Sequence, residues 1–299
     1  MRIRSVVATV ALLQMTAAVG AAQELAPKRV VVNGVELHYI EQGSGEPLIL
    51  LHGGQGDYRM WAPQMAALSP EYRVLSYSRR YHYPNTNPLR PDYSALVDAE
   101  DLAGLIRQLG LGRGHLVGTS YGAFIALALA LAHPDLVRSL VLAEPPILAW
   151  AAIAPSGAPL YRDFMARTHE RAQPLFARGE DEAAVRIFID AFDGDGAFDR
   201  LPSERRRTVM DNVGYFRAIT AATDPYPNLS KAAVRALHMP ILVVRGELTH
   251  ELGRFVTDAL MEQLPRATLV IIPQAGHGSP RQNPRAFNEA VLAFLRPPR

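Results

Sequence analysis

Ser120 stands in Gly118-Thr119-Ser120-Tyr121-Gly122, between the apolar run His115-Leu116-Val117 and an alanine- and leucine-rich stretch from Tyr121 to His133. A G-x-S-x-G segment joining a strand to a helix makes a sharp turn that lifts the serine hydroxyl clear of the sheet. Glycines two residues to either side relieve the crowding this turn creates. The amide of Tyr121 falls at the start of the helix, where its N–H has no intrahelical acceptor and is free to bind an anion. A hydroxyl so placed is a candidate nucleophile for acyl transfer once a base removes its proton. The chain of 299 residues contains no cysteine, which excludes a thiol nucleophile, disulfides and thiolate metal sites.

The elements that must position this serine are legible as alternating patterns. Arg29–Val32 and Val35–Glu41 flank Asn33-Gly34 and read as a hairpin. Pro47–Leu51 is a continuous apolar run, as expected of a strand buried on both faces of a parallel sheet. Further strands are expected at Tyr72–Tyr77, His115–Val117, Val137–Ala143, Ile241–Val244 and Ala267–Ile272. Helices are expected at Tyr93–Leu109, Tyr121–His133, Leu252–Leu264 and Pro284–Leu295. Between Pro145-Pro146 and Leu237 the strand signal vanishes, leaving helical stretches at Ala158–Arg178, Asp181–Phe192 and Pro202–Ala221. Strand–helix alternation implies a parallel sheet covered on both faces, with ligands outside the carboxyl ends of its strands.

On these residues the chain resembles the α/β-hydrolase fold superfamily over about Val30–Leu295. The resemblance implies a mostly parallel eight-stranded sheet with helices on both faces and an inserted helical cap. The boundaries expected are a core of residues 23–145 and 238–299 and a cap of residues 146–237. Carried over by position, the oxyanion donors are the backbone N–H groups of Tyr121 and of Gly54, in His52-Gly53-Gly54-Gln55-Gly56 after the third strand. His277, in Gln274-Ala275-Gly276-His277-Gly278, takes the place of the family's histidine, in the order Ser, acid, His. The acid departs from the common pattern: Thr249 occupies the place where most relatives carry aspartate after the seventh strand. Glu144, directly after the sixth strand, is the expected acid, with Glu247 as the alternative. The resemblance implies a serine hydrolase acting on esters, lactones or related acyl compounds through an acyl-enzyme. Peptidase, perhydrolase or carbon–carbon hydrolase chemistry could use the same residues, and a ligand-binding protein with a residual triad is the reading from another class.

Other signals are weaker. Arg79 is expected to fix the loop after the fourth strand, and His52 to brace the oxyanion loop. Tyr58, Trp61, Tyr81, His82 and Tyr83 are candidate substrate contacts, and Phe192, Tyr215 and Phe216 could wall an apolar pocket. Arg205-Arg206-Arg207 reads as a solvated helix face, and Asp193-Gly194-Asp195-Gly196 lacks the later ligands of a calcium loop. No metal and no organic cofactor is implied. With 31 basic and 29 acidic residues and no basic block, no nucleic-acid partner is expected; the expected partner is a small molecule, neutral or apolar. Arg2 and Arg4, the apolar stretch Ser5–Ala22 and its small-residue end form a signal-peptide pattern over residues 1–22, implying export, cleavage and no lasting membrane anchor.

Overall fold

The computed structural model describes residues 25–296, so the expected leader lies outside the described residues. Its eight-stranded sheet has the order β1-β2-β4-β3-β5-β6-β7-β8. The strands are β1 (Lys28–Val32), β2 (Val35–Gln42), β3 (Pro47–Leu51), β4 (Arg73–Tyr77), β5 (Gly114–Thr119), β6 (Val137–Ala143), β7 (Ile241–Gly246) and β8 (Thr268–Ile272). β2 pairs antiparallel with β1 and β4, and every pairing from β4 to β8 is parallel. The hairpin turns through Asn33 and Gly34, both at positive φ, the conformation an Asn-Gly turn supplies.

Within the central strands, successive side chains enter opposite hydrophobic clusters. Ile49, Leu51, Leu116, Leu140, Leu142 and Val243 face one cluster. Leu48, Leu50, Val117, Val141, Leu242 and Val244 face the other. This period of two explains why each strand reads as an unbroken apolar run: both faces are covered. The first face is covered by α2 (Ala95–Gln108), α3 (Tyr121–Ala132) and, further along, α12 (Glu251–Gln263); the second by α1 (Ala62–Leu68) and α14 (Pro284–Leu295). In α3 every residue from Tyr121 to Ala130 is buried, so its lack of amphipathicity reflects burial all round.

Between β6 and β7 the chain forms α4 (Leu148–Ile153), α5 (Ala158–Arg167), α6 (His169–Ala177), α7 (Asp181–Asp193), α8 (Ala197–Arg200), α9 (Ser203–Asp211), α10 (Val213–Ala221) and α11 (Lys231–Arg235). A short α13 (Ser279–Gln282) follows β8. The stretch expected at Asp181–Phe192 forms α7 nearly as read, but the other two expected stretches are each broken into shorter helices. The stretch expected from Ala158 to Arg178 breaks at Thr168, whose hydroxyl donates to the Phe164 carbonyl at 2.6 Å. The stretch from Pro202 to Ala221 breaks at buried Asn212, which ties the insertion to the core. Its amide donates to Asp57 at 2.8 Å and its carbonyl oxygen accepts the Tyr83 N–H at 2.9 Å.

Candidate active site

Three chain reversals at the carboxyl edge of the sheet bring the site together. Ser120 links β5 to α3 at φ +51° and ψ −126°, a conformation that strains a residue bearing a Cβ. Its N–H is fixed on the Ala143 carbonyl at 2.7 Å. The flanking glycines are required by approach distance: a Cβ at Gly122 would lie 2.2 Å from the Leu51 oxygen, and one at Gly118 would lie 2.6 Å from the Ala123 nitrogen. Helix and strands can therefore close on one another only without side chains there. Glu144, just past β6, also takes positive φ, with its N–H on the Val244 carbonyl at 3.1 Å. Gln274, on the loop that carries His277, is at φ +55°.

These turns align Ser120, His277 and Glu144. The Ser120 hydroxyl lies 2.9 Å from His277 Nε2, and His277 Nδ1 lies 2.8 Å from Glu144 Oε2. A carboxylate on Nδ1 fixes that nitrogen as the donor and leaves Nε2 to accept the serine proton. Glu144 is buried, yet its carboxylate accepts two further hydrogen bonds, from the Thr249 hydroxyl at 2.6 Å and the Gly246 N–H at 2.8 Å. Burial alone would raise its pKa; the bonds from His277, Thr249 and Gly246 outweigh burial and hold the carboxyl below its ordinary value. Thr249, at the place where the resemblance puts an aspartate in most relatives, thus bonds the carboxylate of Glu144. Glu247 points elsewhere: it is exposed and accepts the Gln274 N–H at 2.8 Å, bracing the loop that carries the histidine.

Gly54 and Tyr121 line the same cavity as Ser120. As the first residue of α3, Tyr121 has no intrahelical acceptor for its N–H. A Cβ at Gly54 would lie 2.3 Å from the Tyr215 ring, and one at Gly53 would lie 3.2 Å from the Ser120 Cβ. The Gly53–Gly54 backbone is braced as expected. His52 Nδ1 donates to the Gly53 carbonyl at 2.8 Å, and Nε2 accepts the Arg79 N–H at 3.1 Å. Burial, helped by the charge of Arg79, pushes His52 down to about 3, so the ring is neutral and serves as a strut. The buried Arg79 guanidinium pairs with Asp98 at 2.7 Å, bonds to the Tyr93 hydroxyl at 2.9 Å, and lies against the faces of Tyr121 and Tyr215.

A cavity opens over Ser120, walled mostly by apolar residues of the insertion and of α12, among them Phe188, Phe192, Phe216, Leu252 and Val256. Phe192 stacks on His277, with centroids 4.9 Å apart and planes 16° from parallel. Phe192, Tyr215 and Phe216 all line the cavity, as their types suggested. Tyr58, Trp61, Tyr81, His82 and Tyr83 do not line it. Trp61 is buried on the opposite sheet face against Phe287, and Tyr58 keeps its backbone groups on Ser76 and Ser78. Tyr81 packs on Tyr93, and His82 is enclosed between His52 and Tyr215 behind the glycine loop. Tyr83 lies under the Arg59 guanidinium. Nor is the arginine run wholly a solvated face: Arg205 lines the cavity and donates to Gln55. His250, unremarked in the sequence, also lines it; its Nδ1 accepts the Gly253 N–H and caps α12.

A strained serine under an imidazole, at the carboxyl edge of a doubly covered parallel sheet, is an arrangement that hydrolases of acyl compounds use. The family model described as the alpha/beta hydrolase fold matches residues 46–284, and the chain belongs to that family. Its relatives are hydrolases. A protein provisionally named carbamate hydrolase RutD from Caulobacter sp. strain K31 is 28% identical over 279 residues, covering 87% of this chain and 94% of the relative. The 2-(acetamidomethylene)succinate hydrolase of Mesorhizobium japonicum is 26% identical over 282 residues, covering 90% of this chain and 94% of the relative. Among solved structures, a thermophilic esterase from Thermogutta terrifontis superposes with a TM-score of 0.71 at 23% identity, covering 91% of this chain and 98% of that one.

Proposed function

We propose that this protein is an exported serine hydrolase that cleaves esters, lactones or related acyl compounds of small molecules through an acyl-enzyme. The observation that carries the reading is the continuous hydrogen-bonded line from Ser120 through His277 to Glu144. Ser120 Oγ attacks the acyl carbon while His277 Nε2 takes the hydroxyl proton, and the imidazolium is balanced by Glu144. The oxygen that becomes negative is held by the N–H groups of Gly54 and Tyr121, each such donor being worth ~3 kcal/mol in the transition state. His277 returns the proton to the departing alcohol or amine. It then deprotonates the water that attacks the acyl-Ser120, and the cycle ends with free acid and serine. Relatives named as carbamate and amidomethylene-succinate hydrolases support acyl chemistry on small molecules. Export rests on the basic, apolar and small-residue pattern of residues 1–22.

A fluorophosphonate probe should add to the mature protein once, at Ser120, and turnover of p-nitrophenyl butyrate should fall by about 10⁴-fold or more in Ser120→Ala. An adduct on another serine, or unchanged turnover in Ser120→Ala, would overturn the nucleophile. Fractionation with N-terminal sequencing tests export: a cytosolic protein that retains Met1–Ala22 would refute it.

A further inference from the structure

Most of the cavity wall is apolar, yet Arg205 brings a cation into it. Two of its N–H groups are spent on neutral acceptors, the Gln55 carbonyl at 2.9 Å and the Gln55 side-chain oxygen at 3.2 Å. Its enclosed Nε has no hydrogen-bond partner, and among the described residues no carboxylate lies within 4.0 Å of the guanidinium. The neighbourhood adds charge of the same sign. Arg281 lines the same wall, and the acids of that lining are Asp193, loosely paired with Arg281 at 3.8 Å, and Glu144, already committed to His277. Burial, reinforced by repulsion from Arg281 and only partly opposed by the more distant charges of Asp193 and Asp57, pulls Arg205 down to about 10, the reverse of Arg59, Arg79 and Arg80, which each hold an aspartate.

A cation with no directly paired carboxylate in a largely apolar cavity is costly unless an anion joins it. Resting on the hydrolase reading above, we propose that Arg205 binds a carboxylate carried by the substrate. The favoured substrates are then small esters, lactones or amides that bear a second, free acid group, rather than neutral ones. Arginine suits this role because its planar fork has N–H donors left over after Gln55 is held. The bland alternative is that Arg205 does nothing except brace Gln55, one residue beyond the proposed oxyanion donor Gly54.

Matched pairs of esters separate the two. Methyl hydrogen succinate and methyl 4-methylpentanoate differ by a carboxylate against an isopropyl group on the acyl side. Acetoxyacetate and isobutyl acetate make the same exchange on the alcohol side. The full-length protein should favour the anion in at least one pair by about tenfold or more in kcat/KM, the size of a charge-assisted hydrogen bond. Arg205→Met should erase that ratio, and Arg205→Lys, which keeps the charge and loses the fork, should retain only part of it. Preference in neither pair, or an Arg205→Met ratio equal to wild type with both rates lowered together, overturns the proposal and leaves Arg205 a brace. Calorimetric titration of Ser120→Ala with methyl hydrogen succinate, with and without Arg205→Met, reads the same recognition without turnover. Anion binding that needs Arg205 in a protein hydrolysing no ester would refute the hydrolase and sustain the anion site; hydrolysis of neutral esters with no anion preference would do the reverse.

Discussion

Glu144 shows how one residue's environment decides its role. Its two oxygens accept from His277, Thr249 and Gly246, three donors that favour the ionised form against the cost of burial. Glu144→Gln keeps the shape and loses the charge proposed to balance the imidazolium, and kcat should fall by about 10⁴-fold. Glu247→Gln should cost less than about tenfold, because that carboxylate holds one loop amide. Both variants should keep the wild-type circular dichroism spectrum. A folded Glu144→Gln enzyme with near-normal kcat would transfer the acid's role elsewhere. Thr249→Val removes one donor from the carboxylate without changing volume much; kcat should drop by about tenfold, and an unchanged kcat would make the threonine a spectator.

The elements around the serine rest on backbone contacts, and these separate stability from catalysis. Gly122→Ala places a methyl against the Leu51 carbonyl of β3, where neither backbone can retreat, and should cost about 2–4 kcal/mol, read as a lower denaturation midpoint. Gly54→Ala instead meets the ring of Tyr215 on α10, a side chain rather than a backbone. Its cost should fall on kcat more than on the midpoint, because the displaced amide is the proposed oxyanion donor. If both variants lose stability equally, the glycine loop is part of the packing scaffold.

At this scale the sequence was legible where backbone chemistry is local. Doubly buried strands read as apolar runs, and the elbow announces itself by its glycines. The joints of the insertion were hidden: Thr168 and Asn212 break helices through bonds to Phe164 and Asp57, and the one local sign of either is Gly214, two residues past Asn212. The aromatic residues near the glycine loop misled because residue type says nothing of which side of a loop a ring takes. His82 went behind the loop and Trp61 to the far sheet face. Arg205 was misread for a related reason: only the phase of α9 against Gln55 separates it from its two neighbours.

For the whole molecule the buried imidazoles set an acid limit. Burial leads in depressing each: His52 to about 3, His169 and His250 to about 4. In the unfolded chain a histidine titrates near ~6.5. Between these values the unfolded state binds more protons, so stability rises with pH through that window and is lost on acidification, at about 1.4 kcal/mol per pH unit for each such group. Tm should fall by roughly 10 °C from pH 7 to pH 5. A flat Tm over that range would mean that these rings gain protons without unfolding.

The proposed catalytic line also spans most of the topology. Ser120 and His277 are 157 residues apart in sequence, and His277 and Glu144 are 133 apart, with every inserted helix between them. Contacts of such separation require the closure of long loops, a slow part of folding. A partly folded chain can carry its serine in a formed elbow while the imidazole is still far away, and so would be hydrolytically silent. In a refolding experiment, ester turnover should therefore return after helical ellipticity does, which makes catalysis the stricter clock of native assembly. Turnover that recovered ahead of ellipticity would mean that the line closes before the insertion has folded.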